Sequence, residues 1–260
     1  MTLTGTGFGH AELATMAGAP GRPNEDYAAA GPGWAVVLDG ATQADGVDTG
    51  CVHDVPWLVR HLAAALIGQL GVSTAPLAQI LAGAIEATCR AHAGSCDLAN
   101  PDSPSSTVAI VRVAGDALDC LVLGDSPVLL QAGERITAVT DDRVDHLRPG
   151  GRPYSRVLVR AKRNAPGGFW VASTDPGAAR EAVCVSAAGV THAALLTDGV
   201  TRLVGCYGYD WPGVFAVLRQ DGPAALIDRV RAAERAAPPA GGKPHDDATA
   251  VYARLAPAPR

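Results

Sequence analysis

The sequence predicts an α+β fold built on an antiparallel sheet core, and three observations carry the prediction. β-rich apolar runs follow one another between residues 106 and 131, helical periodicities come in separate pairs, and no repeat of about 20–50 residues is visible. A length of 260 residues suits one such domain, so residues 1–260 are read as a single unit with a short tail at 256–260.

The elements follow in order. Trp34-Ala-Val-Val-Leu38 is a continuous apolar run closed by Asp39-Gly40, as expected of a buried strand entering a loop. A helix over Val55–Leu70 gathers Trp57, Leu58, His61, Leu62 and Ala65 on one face, and a second covers Leu77–Ala93 after Pro76. Strands at Ser106–Val113, Leu118–Leu123 and Val128–Gln131 are divided by Gly115-Asp116 and Gly124-Asp125-Ser126-Pro127, and read as an antiparallel meander. The polar stretch Asp141–Pro166, with Gly150-Gly151, reads as a loop or surface excursion, and its Asp141, Asp142, Arg143 and Asp145 as a solvated charge run. The same stretch could shape a substrate flap, with Lys162 and Arg163 as docking charges for an acidic phosphorylated partner. Further on, the reading expects a strand at Phe169–Ser173, a short helix from Asp175-Pro176 to about Cys184, and a strand at Ala193–Thr197. Helices are expected at Trp211–Arg219 and Ala224–Ala236, then a Pro/Gly-rich loop over Pro238–Pro244 and a closing strand at Ala248–Leu255.

Composition narrows the function classes. A net charge of −5 without a basic block argues against a nucleic-acid partner, because backbone affinity comes from clustered Lys and Arg. The first residues lack a positive region and a continuous apolar stretch, and the longest apolar run, around Leu62–Leu66, is too short to span a bilayer. A soluble, cytoplasmic monomer is therefore expected. Six cysteines are scattered without a CxxC pair, which argues against a zinc ribbon or a redox motif and reads as reduced, mostly buried thiols.

The chemistry lies in the acidic residues. Three apolar strands end in aspartate, at Asp39, Asp125 and Asp198, and the closing strand begins with Asp246. In an antiparallel sheet the end of one strand lies beside the start of its neighbour, so these carboxylates can converge at one edge. Crowded carboxylates repel, and hard divalent cations with oxygen ligands neutralise them. Glu25 and Asp26 add two further candidates. A single Asp-Gly is usually a hairpin turn, yet neither Asp39-Gly40 nor Asp198-Gly199 is followed by an immediate return strand.

Taken in order, Arg22-Pro-Asn-Glu-Asp26, Val37-Leu-Asp-Gly40, Ser105-Ser-Thr107, Leu123-Gly-Asp-Ser126, Leu196-Thr-Asp-Gly199 and Asp246-Asp-Ala-Thr249 resemble the metal-dependent serine/threonine protein phosphatases of type 2C, in their compact bacterial form. The resemblance covers nearly the whole chain and implies a sandwich of two antiparallel sheets flanked by helix pairs, with a metal centre at one end. It implies two Mn2+ or Mg2+ ions about 3.5–4 Å apart, sharing a hydroxide that attacks the phosphate ester directly. By position, Asp39 would bridge the ions, the Gly40 carbonyl would bind one, and Asp198 and Asp246 would bind the other. Asp26 and Glu25 would act through metal-bound water, and Asp125 would help to hold a weaker third ion.

The chain departs from the pattern twice. Ala41-Thr42 stands where many relatives carry a histidine general acid, and the phosphate-gripping arginine is Arg22, one position from its usual place, which is Gly21. The implied substrate is a phosphoserine or phosphothreonine protein. A small phosphate ester is the alternative, as is a non-catalytic, phosphoprotein-binding regulatory module on the same fold. His245, His53 and His61 are read as solvated or structural histidines.

Overall fold

The computed structural model describes residues 7–43, 46–92, 94–147, 155–239 and 243–256. Gly150-Gly151, the middle of the Pro238–Pro244 loop and most of the 256–260 tail therefore lie outside the described residues. Two antiparallel sheets of five strands each are formed, ordered β1-β10-β9-β6-β7 and β2-β3-β4-β5-β8. The first holds β1 (Phe8–Met16), β6 (Val128–Ala132), β7 (Arg135–Val139), β9 (His192–Leu196) and β10 (Ala248–Leu255). The second holds β2 (Asp26–Gly31), β3 (Trp34–Gly40), β4 (Ser106–Ala114), β5 (Ala117–Leu123) and β8 (Val183–Ala188).

Apolar faces set the layering. Ala35, Val37, Ala109, Val111, Leu118, Val122, Val128 and Leu195 meet between the sheets. The alternate residues of β3 and β4, among them Val36, Leu38, Val108 and Ile110, face α1 (Val55–Leu70) and α2 (Leu77–Ala91). On the other side Leu129, Ala194, Leu196 and Ala250 face α4 (Asp198–Tyr207) and α5 (Trp211–Ala236). Strands covered on both faces read as unbroken apolar runs, which is why β3 and β9 were legible. In α1 the buried Val55, Leu58, Val59, Leu62, Ala63, Leu66 and Leu70 follow helical spacing, and Asp54 caps the helix by accepting the Trp57 N–H at 2.8 Å.

Several expectations need correction. The strands β4, β5 and β6 are not a meander: β4 and β5 pair, but β6 pairs with β7 and β9 in the opposite sheet. The turn Gly124–Pro127 carries the chain across the sandwich, with Gly124 at φ +85. Phe169–Ser173 makes only isolated bridges, Arg163 to Phe169 and Ser106 to Ala172. The helix expected from Asp175 to Cys184 is a 3-10 helix over Pro176–Glu181, and Cys184 lies in β8.

The 141–166 stretch is not simply loop, since it contains α3 (Arg156–Lys162). Asp141 in it is buried, gripped in a fork by Arg143 at 2.7 and 2.6 Å, and accepts the Gly124 N–H at 3.0 Å. It anchors the crossing turn rather than facing solvent. Arg163 is also largely withdrawn from solvent, donating to Ser105 Oγ at 3.0 Å, so it is no free docking charge. Of the cysteines only Cys120 is buried; Cys51, Cys89 and Cys96 are half-buried, and Cys184 and Cys206 are exposed. Among the described residues no helix is long and apolar enough to cross a membrane.

Candidate active site

The acidic residues gather at one end of the sandwich, and they come from both sheets rather than from one sheet edge. In the second sheet Asp26 pairs directly with Asp39, and Asp39 with Thr107 on the far side. From the first sheet, β9 ends at Leu196 and the chain turns into α4, whose first residue, Asp198, donates its backbone N–H to Asp39 Oδ2 at 3.2 Å. Thr197 connects the sheets: its hydroxyl donates to Asp26 Oδ2 at 2.9 Å and receives the Thr249 N–H at 2.9 Å.

Neither Asp-Gly pair is a turn. A side chain at Gly40 would overlap Val55 and the Glu25 carbonyl, whose oxygen accepts the Gly40 N–H at 3.1 Å. A side chain at Gly199 would overlap the Asp247 carbonyl. Both glycines let backbone close in behind an aspartate, which is a packing requirement that a hairpin reading cannot supply.

The electrostatics follow from this crowding. Burial, then the charges of Asp198, Asp26 and Asp125, hold the Asp39 carboxyl well above its usual range. Asp26 is pushed up to about 7, first by burial and then by Asp247 and Asp246. Asp198 is likewise pushed up to about 7, by burial and by the charges of Asp125, Asp246 and Asp26. Glu25 is raised mainly by burial. An oxygen-only, electron-rich, half-enclosed donor set of this kind suits hard divalent cations.

Asp246 behaves differently. Its Oδ2 accepts Arg202 at 3.0 Å and its Oδ1 accepts Lys243 at 2.8 Å, so both oxygens face cationic groups. Behind it, Glu234 on α5 is fully enclosed and gathers Arg202 and Arg231, each at 2.8 Å, and His245 at 2.6 Å. His245 is therefore tied down, not a solvated loop residue. Asp247 clamps the entry strand by accepting the backbone N–H groups of Gly18 and Glu25, both at 2.7 Å.

Two clefts open on the acids. One, of about 390 Å³, is lined by Arg22, Glu25, Thr42, Lys243 and Asp246. The other, of about 640 Å³, is lined by Asp125, Asp198, Arg202, Lys243 and Asp246.

Residues 15–228 match the family model for protein phosphatase 2C. The chain belongs to the protein phosphatase 2C family. Among solved structures, the Mycobacterium tuberculosis serine/threonine phosphatase PstP/Ppp is 19% identical with a TM-score of 0.61, over 94% of this chain and 97% of that one. The PstP catalytic domain in complex with two manganese ions is 16% identical with a TM-score of 0.61, over 95% and 98%. PppA of Pseudomonas aeruginosa, described as a key regulatory component of the type VI secretion system, is 15% identical with a TM-score of 0.62, over 96% and 99%. No curated protein matches the sequence.

The structure brings together Asp26, Asp39, Gly40 and Asp198, with Glu25, Asp125 and Asp246 close by. Arg22 is exposed on the cleft rim. The residue that sequence reasoning missed is Lys243. Its Nζ donates to Thr42 Oγ1 at 2.6 Å as well as to Asp246, and Thr42 in turn donates to Glu25. A lone lysine in a Pro/Gly-rich loop carries no spacing signal that would have singled it out.

Proposed function

We propose that this chain hydrolyses phosphoserine and phosphothreonine esters of proteins with the help of Mn2+ or Mg2+. The observation that carries the reading is the crowding of Asp39, Asp198 and Asp26 across the two sheets, a mutual repulsion that divalent cations offset near neutral pH. Asp39 and the Gly40 carbonyl, with Asp198 and Asp246, would hold two ions; Glu25 and Asp26 would support them through water, and Asp125 would serve a weaker third. Bound ions supply a water of lowered pKa and charge compensation for the phosphoryl group.

The chain's own groups do the rest. As the water oxygen–phosphorus bond forms, the ester phosphorus–oxygen bond breaks, and the leaving alkoxide requires a proton. With Ala41-Thr42 in place of a histidine, we assign that proton to Lys243, a residue that lines both clefts and whose Nζ is held by Asp246 and Thr42. Arg22, on the rim beside Lys243, would grip the phosphate oxygens with two parallel donors. The test is phosphate release from a phosphothreonine peptide. Release with Mn2+ that stops in excess chelator supports the reading, and equal release in both conditions rejects it.

One observation favours a second reading. Because both Asp246 oxygens hold cationic side chains, the same fold could serve as a phosphoprotein-binding regulatory module without turnover. Absence of Mn2+ binding by calorimetry, together with tight binding of intact phosphopeptide, would select it.

A further inference from the structure

Away from the acidic centre, four soft and borderline ligands meet at the loop before α1 and the end of α2. Cys51, His53, His92 and Cys96 each offer one ligand atom, and all four atoms lie within 4.8 Å of one another. We propose that these residues form a tetrahedral zinc site, separate from the phosphatase centre, that staples the loop before α1 to the C-terminus of α2.

The local chain is built to deliver the four groups. His92 is the buried C-cap of α2, its backbone N–H bonded to Thr88 and Cys89 carbonyls. A tight turn follows, in which Ser95 returns both its N–H and its hydroxyl to the His92 carbonyl, at 3.1 and 2.8 Å. Cys96 is thereby swung back beside the other loop. The Asp97 N–H then donates to the Gly50 carbonyl at 2.7 Å and the Asn100 side chain to the Asp48 carbonyl at 3.1 Å, lashing together the residues just before Cys51 and just after Cys96.

The distances decide what the cluster can hold. With zinc–sulfur bonds of about 2.3 Å and zinc–nitrogen bonds of about 2.0–2.1 Å, tetrahedral geometry sets sulfur–nitrogen separations near about 3.5 Å and a sulfur–sulfur separation near about 3.8 Å. The observed sulfur–nitrogen separations are 3.6 Å for Cys51–His53, 3.4 Å for Cys51–His92 and 3.3 Å for Cys96–His53. The two sulfurs are 3.1 Å apart. A disulfide needs about 2.05 Å, so the two sulfurs are not bonded, and a bound zinc would spread them to about 3.8 Å.

The surroundings fit thiolate ligands and fixed imidazoles. The His53 N–H points at Cys51 Sγ at 3.4 Å, and the Val52 N–H bonds to Cys96. Donors of this kind stabilise coordinated sulfur. Trp57 stacks on His53 at 3.8 Å and meets His92 edge-on at 4.4 Å, holding both rings in place. Two cysteines and two histidines in a closed set match zinc better than any hard cation, and leave no open position for a substrate. The ion would thus be structural.

The sequence concealed the site. Cys51-x-His53 and His92-x3-Cys96 come from segments separated by two helices, and neither contains a CxxC pair. The expectation against a zinc ribbon or a redox motif rested on that missing pair, which the proposed site does not require.

The test is metal content of the full chain, purified under reducing conditions without a chelating tag. About one zinc per chain is expected. Cys51→Ser/Cys96→Ser and His92→Ala should lose it, whereas Asp39→Asn should retain it, which separates this site from the acidic one. Because the cysteine variants could fail to fold, wild-type protein is also loaded with Co2+, and visible bands of tetrahedral cobalt with a thiolate charge-transfer band are expected. Folded wild-type protein that holds no zinc and develops no such bands overturns the proposal. So does peptide mapping that finds Cys51 and Cys96 joined as a disulfide.

Discussion

At the scale of single residues, the two Asp-Gly pairs show how one dipeptide can carry two unrelated demands. The aspartate supplies a carboxylate, and the glycine admits a neighbouring backbone where a side chain would collide. Gly40→Ala should therefore destabilise the protein by about 1–3 kcal/mol through overpacking, read as a fall in the denaturation midpoint. Asp39→Asn should instead leave the fold intact and lower turnover more than about 100-fold, since it removes a proposed ligand rather than one of its supports. A variant with near wild-type rates would remove Asp39 from the centre. Lys243→Ala separates the proton donor from the binding groups. It should slow an alkyl phosphate by about 10²–10⁴-fold while sparing an aryl phosphate whose leaving group needs no acid. Equal losses on the two substrates would give Lys243 a binding role alone.

At the scale of elements, the sequence was clearest where burial is two-sided. The boundaries of α1 and β10 are those the apolar patterns set, and β3, β4 and β5 agree within a residue or two. Edge strands were not legible. In β1 most residues are exposed, and β8 is similarly open, so neither carries an apolar run. The crossing at Gly124–Pro127 was misread for a related reason, because a turn signal says that a strand stops but not which sheet the next one joins. The carboxylates at Asp39, Asp125 and Asp198 were legible as strand-end motifs, with Asp26 an added candidate, whereas Asp141 and Lys243 depend on contacts between distant segments. Asp141 tests this point. Asp141→Ala would leave the Gly124 N–H and the Arg143 fork without their acceptor, at a cost of about 2 kcal/mol to stability. Chemical denaturation measures it, and an unchanged midpoint would return Asp141 to the status of a surface charge.

At the scale of the whole molecule, the acidic centre sets how stability responds to pH. Asp26 and Asp198 titrate at about 7 in the metal-free fold, against 3.8 as the ordinary value. The folded chain therefore holds protons that the unfolded chain releases. The associated stability is full below pH 3.8, is lost as pH rises toward about 7, and is absent above that. Melting temperature without divalent ions should accordingly fall between about pH 4 and about pH 7, and added Mn2+ should raise it most at the alkaline end. A metal-free melting curve that is flat across this range would mean that the carboxylates are relieved in another way.

The position of β10 has a consequence for how the molecule comes into being. It lies between β1 and β9, so the first strand of its sheet has no partner until nearly the last described residues have been made. Asp246 and Asp247, which immediately precede it, arrive at the same late moment. A chain that stopped before residue 246 would leave β1 without its partner and the acid cluster without Asp246 and Asp247.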